Sequence, residues 1–127
     1  MRINVSSESP WEQVVGFSRA VRIDEHVAVS GTVGSNPDGT PVHPTDIYAQ
    51  AIKALERIDE ALAIAGAERR HVVRTRMYVT DIQRWEEVAK AHREFFGEIM
   101  PTTSMIEVKG FIRDDLLVEI EADAIIY

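Results

Sequence analysis

The stretch Val118-Glu119-Ile120-Glu121-Ala122-Asp123-Ala124 alternates without a break. Successive side chains of a β-strand point to opposite faces of the sheet. Val118, Ile120, Ala122 and Ala124 therefore take one face, and Glu119, Glu121 and Asp123 take the other. The first face suits a core. The second sets three carboxylates in line, and these repel one another unless cations or a proton intervene. This acidic stripe admits two readings. In one, a carboxylate with a raised pKa moves a proton at a functional site. In the other, the carboxylates are salt-bridged on a wet face, which the pattern by itself favours.

Val72-Val73-Arg74-Thr75-Arg76-Met77-Tyr78 carries the complementary pattern, with Arg74, Arg76 and Tyr78 on one face. Arginines beside the acidic stripe would neutralise it, and they would also suit bidentate contact with an anion. Neutralisation is the simpler role. Residues 17–23 and 26–31 have strand character around the turn-forming pair Asp24-Glu25, and read as a β-hairpin with Val27 and Val29 on one face. Residues 31–44 collect Gly31, Gly34, Gly39, Pro37, Pro41 and Pro44. Within them Asn36-Pro37-Asp38-Gly39 has the residues of a tight turn, and the stretch is the best loop for function or partner contacts.

A helix starts near Thr45 or Asp46, with Ala51, Leu55, Ile58, Leu62 and Ala65 as its apolar stripe and Gly66 just past its end. A strand follows over Val72–Val79. Asp81 is placed to cap a second helix with Trp85, Val88, His92 and Phe95 on one stripe, closed by Gly97 and Pro101. Residues 104–108 and 116–126 supply the last strands. The order ββ-α-β-α-ββ, with room for an additional N-terminal strand, predicts an α+β fold: one mixed sheet with two helices on one face. The other face is too apolar to stand wholly in water, so subunit association is expected.

The chain has 127 residues, one domain's worth, spanning 1–127 without a linker or repeat. Asp and Glu number 21 against 14 Lys and Arg, a net charge of -7, which disfavours nucleic-acid binding. Cysteine is absent, which removes thiol chemistry and thiolate metal sites. The four histidines, His26, His43, His71 and His92, lack metal-ligand spacing, so no metal is expected. No glycine-rich phosphate loop or nucleophile elbow is present, and no nucleotide cofactor is implied. Neither a signal peptide nor a membrane-spanning apolar run is evident, so a cytoplasmic protein is the expectation.

Several segments, taken in order, resemble the RidA/YjgF family over nearly the whole chain. Val15-Gly16-Phe17-Ser18-Arg19-Ala20-Val21 is similar to its early segment, and Val29-Ser30-Gly31 to its Ser-Gly strand end. Val73-Arg74-Thr75 with Tyr78-Val79-Thr80-Asp81 resembles its central strand. Phe95-Phe96, Pro101, Ser104, Glu107-Val108 and Val118-Glu119-Ile120-Glu121-Ala122 complete the series.

The resemblance implies a chorismate-mutase-like fold that assembles as a homotrimer, with sheets lining a central barrel and small-molecule pockets at the clefts between subunits. It implies hydrolysis of reactive enamines and imines to ketoacids and ammonia, without a cofactor. It also implies a last-strand glutamate that positions water, matched by Glu119, and pocket positions at Phe17, Ser30, Gly31, Ser104 and the backbone amide of Met105. The family's substrate-clamping arginine is replaced by Thr103, its tyrosine by Phe17, and an asparagine of active members by Ala89. Threonine offers one neutral hydrogen bond, whereas a charged one contributes roughly 1.5–3 kcal/mol, so carboxylate affinity is expected to fall by about one to two orders of magnitude. Arg19, adjacent to pocket positions, is a candidate replacement for the missing charge. Two functions stay open: an enamine/imine deaminase with altered substrate range, and a non-catalytic metabolite or partner binder. The endoribonuclease label the family carries fits poorly with the acidic charge.

Overall fold

The computed structural model describes residues 1–127. Its strands are β1 (Arg2–Val5), β2 (Ala20–Ile23), β3 (His26–Val33), β4 (Val72–Val79), β5 (Thr102–Glu107) and β6 (Val118–Ile125). Its helices are α1 (Pro10–Val15), α2 (Ile47–Ile64) and α3 (Trp85–Phe96). The strands form one six-stranded sheet in the order β1-β2-β3-β6-β4-β5. Every pairing is antiparallel except β4 with β5, which are joined through α3 and run parallel. The sheet is therefore mixed, as the element order predicts.

The alternating strand β6 is central because both its edges find partners. Val118, Ile120, Ala122 and Ala124 are buried in the core beneath α2. Val27 and Val29 of β3 and Met77 and Val79 of β4 continue the same apolar layer. From the helices come Ala51, Leu55, Ile58 and Leu62 of α2 and Val88, Ala91 and Phe96 of α3. Burying one such large side chain contributes about 1.5–3 kcal/mol. An exposed ion pair such as Arg70–Glu68 contributes about 0–1 kcal/mol, so the layer of helices on sheet decides the fold.

Polar ties fix how the helices sit. Asp46 caps α2, its side chain accepting from the amide of Ala49 at 3.0 Å. Gln50 is fully buried, and its Nε2 donates to the carbonyls of His43 at 2.8 Å and Asp115 at 2.9 Å. Its Oε1 accepts from the amide of Leu117 at 2.9 Å. One side chain thus holds the approaches to α2 and β6 together. Gly34 lets β3 run against α2: a Cβ there would stand 2.2 Å from the Gln50 carbonyl oxygen.

The additional N-terminal strand for which the order left room is β1. Several other expectations are corrected: a further short helix, α1, follows β1. Ser9 and Glu12 close a capping box around α1, with Pro10 at its first turn. Asp81 caps a 3₁₀ turn, Ile82–Arg84, and α3 begins only afterwards. Trp85 is consequently half exposed, and Phe96, with Ala91, fills the buried stripe more completely than Phe95. The chain end of α3 stays right-handed at Gly97, and the positive φ falls on Met100, before Pro101. The strand β3 continues to Val33, into the stretch read as loop. Beyond it, Ser35 bridges Pro41 around a turn closed by Gly39 N donating to Asn36 O at 2.9 Å. No helix is long and apolar enough to cross a membrane.

Candidate functional site

The sheet face away from the core carries the acidic stripe and its answer. Arg76 Nη1 reaches Glu121 at 3.2 Å and Asp123 at 3.3 Å, and the Tyr78 hydroxyl donates to Glu121 at 2.9 Å. These contacts follow from the register, which sets Arg76 beside Glu121 and Tyr78 beside Glu119. Arg74 makes no ion pair, so neutralisation falls to Arg76 alone.

Glu119 differs from its two companions on the stripe. It is half-buried and makes no hydrogen bond or ion pair within the chain. Burial, and then the charge of Glu121, push its carboxyl above the ordinary glutamate value, while Arg19 works in the opposite sense. A carboxylate without a partner in a cleft is suited to accept a proton from water. It has room because β3 passes it with a glycine: a Cβ on Gly31 would lie 2.1 Å from Glu119 Oε1.

Glu119 lines a cavity of about 510 Å³ together with Phe17, Arg19 and Gly31. Three elements bring them together. The β3 strand offers Gly31, β6 offers Glu119, and the segment between α1 and β2 supplies Phe17 and Arg19. That segment is pinned by Arg19 N donating to Val5 O at 2.8 Å and Ser30 N donating to Arg19 O at 2.9 Å. The Arg19 side chain is almost fully buried. Its Nη1 donates to Gly31 O at 2.7 Å and Thr32 Oγ1 at 3.0 Å, and its Nε to Ser7 Oγ at 3.3 Å. The guanidinium carbon also sits 5.3 Å from the centroid of the Phe17 ring. Burial, and then the neighbouring charge of Arg57, bring its pKa down to about 10, with Glu12 and Glu119 opposing.

Behind Arg19 stands Glu12 of α1. It accepts from Ser6 Oγ at 2.8 Å, Ser7 Oγ at 2.6 Å, and the amides of Ser7 at 3.0 Å and Ser9 at 3.3 Å. Burial works to raise its pKa, but these hydrogen bonds outweigh it and hold the carboxyl below the usual value.

The remaining expected site residues lie elsewhere. Ser30 does not line the cavity, and its hydroxyl donates to Ser18 O at 2.6 Å. Thr103, Ser104 and Met105 are on β5, separated from β6 by β4. Thr103 Oγ1 accepts from Thr75 Oγ1 at 2.7 Å, and Thr75 Oγ1 is 2.8 Å from His92 Nε2. Ser104 is exposed, and Met105 packs partly against the core. Burial lowers the His92 pKa.

Among the lining residues that the sequence did not single out are Trp11, Ser7, Lys53 and Arg57. Lys53, Arg57, Glu60, Ala61 and Ile64 recur at helical spacing on α2, beside its buried stripe. That periodicity marks a second face of the helix, on which Lys53 and Arg57 are half-buried.

The sheet order, the helices laid on one face and the cleft where β3 meets β6 define an α+β protein of a kind found repeatedly among known structures. The family described as Endoribonuclease L-PSP matches residues 8–126. A Mycobacterium tuberculosis protein, Rv2704, described as a member of the YjgF/YER057c/UK114 family, superposes with a TM-score of 0.91 at 53% identity, covering 99% of this chain and 100% of that one. An uncharacterised Streptomyces coelicolor protein is 36% identical over 120 residues, 94% of this chain and 89% of its own length. Mouse 2-iminobutanoate/2-iminopropanoate deaminase is 29% identical over 109 residues, 86% of this chain and 80% of its own. The chain belongs to the RidA/YjgF family.

Proposed function

We propose that the chain hydrolyses reactive enamine or imine metabolites in the Glu119 cavity, with a substrate range altered by Thr103. The carrying observation is Glu119 itself: a half-buried carboxylate with no internal partner, beside Gly31, in a cavity that also holds Arg19. Glu119 takes a proton from water as the water oxygen adds to the C=N carbon. That proton passes to the imine nitrogen to give a carbinolamine. The carbinolamine hydroxyl proton then moves by way of Glu119 to the same nitrogen as the C–N bond breaks, so that ammonia leaves and a C=O group remains. An enamine first tautomerises to its imine. This needs a placed water and a fixed substrate, and no redox partner. The deaminase relative supports the reaction class.

The same proposal includes a homotrimer. Thr103, Ser104 and Met105 would reach the cavity from β5 of a neighbouring copy, with Phe17 and Ser30 on the other side of the cleft. The mostly exposed residues of β5 and the sheet face bearing Arg74 supply surface for such a contact. Light scattering at micromolar concentration should return the trimer mass.

Thr103 favours a second reading, a metabolite-binding trimer without turnover, because it removes a charge-assisted contact. One assay separates the two. 2-Aminoacrylate generated in situ should be hydrolysed above its spontaneous rate by the wild type, and faster by Thr103→Arg. Binding of 2-oxobutanoate with no hydrolysis by either protein would favour the second reading.

A further inference from the structure

We propose that Arg19 and Arg57 together form a carboxylate subsite on the inner wall of the cavity, taking over the role of the arginine that Thr103 replaces. The inference rests on the cavity being a ligand pocket, and it places the ligand's negative end against this chain's own β3 and α2.

Arg19 Nη1 holds Gly31 O at 2.7 Å, and Arg57 Nη1 holds Val33 O at 2.7 Å and Ser35 Oγ at 3.0 Å. Carbonyls two residues apart on a strand point to the same side, about 7 Å from one another. The two guanidinium groups are therefore fixed side by side on one strand edge, and both line the cavity.

Neither is ion-paired: the carboxylates that favour their charge, Glu12 and Glu119 for Arg19 and Glu60 and Glu12 for Arg57, act from beyond contact. No carboxylate stands within ion-pair distance of either group. Glu12 is already saturated by Ser6, Ser7 and Ser9. Two like charges held together, Arg19 buried and Arg57 half-buried, with no carboxylate in contact, are costly unless a ligand supplies one. The same conflict shows in titration: burial and then mutual repulsion depress Arg19, and burial depresses Arg57.

Both groups also keep unused donors. Arg19 Nη2 makes no hydrogen bond within the chain, although Arg19 is only 5% exposed. Arg57 Nε and Nη2 make none either, and that side-on pair is the fork that matches a planar carboxylate. Trp11, Phe17, Phe111 and Ile112 add apolar surface to the cavity lining. Glu119 opposes any second negative charge. A monocarboxylate with an apolar body fits this distribution better than a phosphate dianion.

The test is calorimetric titration with 2-oxobutanoate of the wild type, Arg57→Gln, Arg57→Lys and, as a charge-matched control, the exposed Arg70→Gln. The wild type and Arg70→Gln should bind alike. Arg57→Gln should weaken binding roughly ten- to hundredfold, and Arg57→Lys, which keeps charge but loses the fork, should fall between. Thermal melts report whether each variant is folded, and Arg57→Lys carries the test if Arg57→Gln is not. Unchanged affinity in a folded Arg57 variant, absence of 2-oxobutanoate binding by the wild type, or equal binding of inorganic phosphate would overturn the proposal. Loss of binding in Arg57→Gln without hydrolysis by any protein refutes the hydrolase reading and supports the subsite. Hydrolysis and binding both unaffected by the substitution do the reverse.

Discussion

Gly31 and Glu119 face each other across β3 and β6 so closely that any side chain at Gly31 would occupy the space of the Glu119 carboxylate. The atom in the way is the far end of a flexible side chain. Gly31→Ala should therefore leave the fold intact and turn Glu119 aside. Misplacement by about 1 Å costs roughly 10²-fold in rate, so hydrolysis should fall by about that factor while the melting temperature moves little. Gly34→Ala is the contrasting case, because there the obstruction is the Gln50 backbone. It should cost about 1–3 kcal/mol of stability, seen in denaturant unfolding.

The charge state of Glu119 gives a pH prediction. Its folded pKa is raised above 4.5, so the folded state holds the proton more tightly than the unfolded chain. Ionisation then costs stability as pH rises from the unfolded value through the folded one, and the cost persists at neutral pH. Glu119→Gln should melt higher than the wild type at pH 7, and the two should converge in acid. Wild-type turnover should fall as pH drops through the raised value, because the proton acceptor is lost.

Glu12 has the opposite sign. Its folded pKa lies below 4.5, so its contribution is complete above the unfolded value and is lost as pH falls through the folded one. Glu12→Gln removes a charged acceptor of four hydrogen bonds and should cost about 1.5–3 kcal/mol at neutral pH. Unfolding curves of the two proteins should approach each other in acid.

The line His92–Thr75–Thr103 predicts a further stability effect. Thr75 is fully buried, and Thr75→Val keeps its shape but deprives His92 Nε2 and Thr103 of their shared partner. An unsatisfied polar group costs about 1–3 kcal/mol, which chemical denaturation would measure.

Strict alternation made β6 and β4 legible in advance, and the stripe Ala51, Leu55, Ile58, Leu62 and Ala65 did the same for α2. These elements bury one face completely, so period and burial coincide. The short helix α1 was not legible, because Pro10–Val15 is too brief for a period and is set by the Ser9–Glu12 capping box. The acidic stripe resolved differently along its length. Glu121 and Asp123 are paired with Arg76, as the neutralised reading expects, while Glu119 is left without a partner. The alternation could not distinguish them, because the difference comes from Gly31 and Arg19, about a hundred residues earlier in the chain. Arg57 was hidden for the same reason: its position on α2 looks solvent-facing until the close approach at Gly34 brings Val33 O to it.

The central claim is that Glu119 activates water in this cavity. The most direct measurement is the initial rate of 2-aminoacrylate hydrolysis by the wild type and Glu119→Gln, with both proteins confirmed folded by thermal melting. Turnover above the spontaneous rate is expected for the wild type and none above it for Glu119→Gln. Equal turnover by the two proteins would contradict that claim.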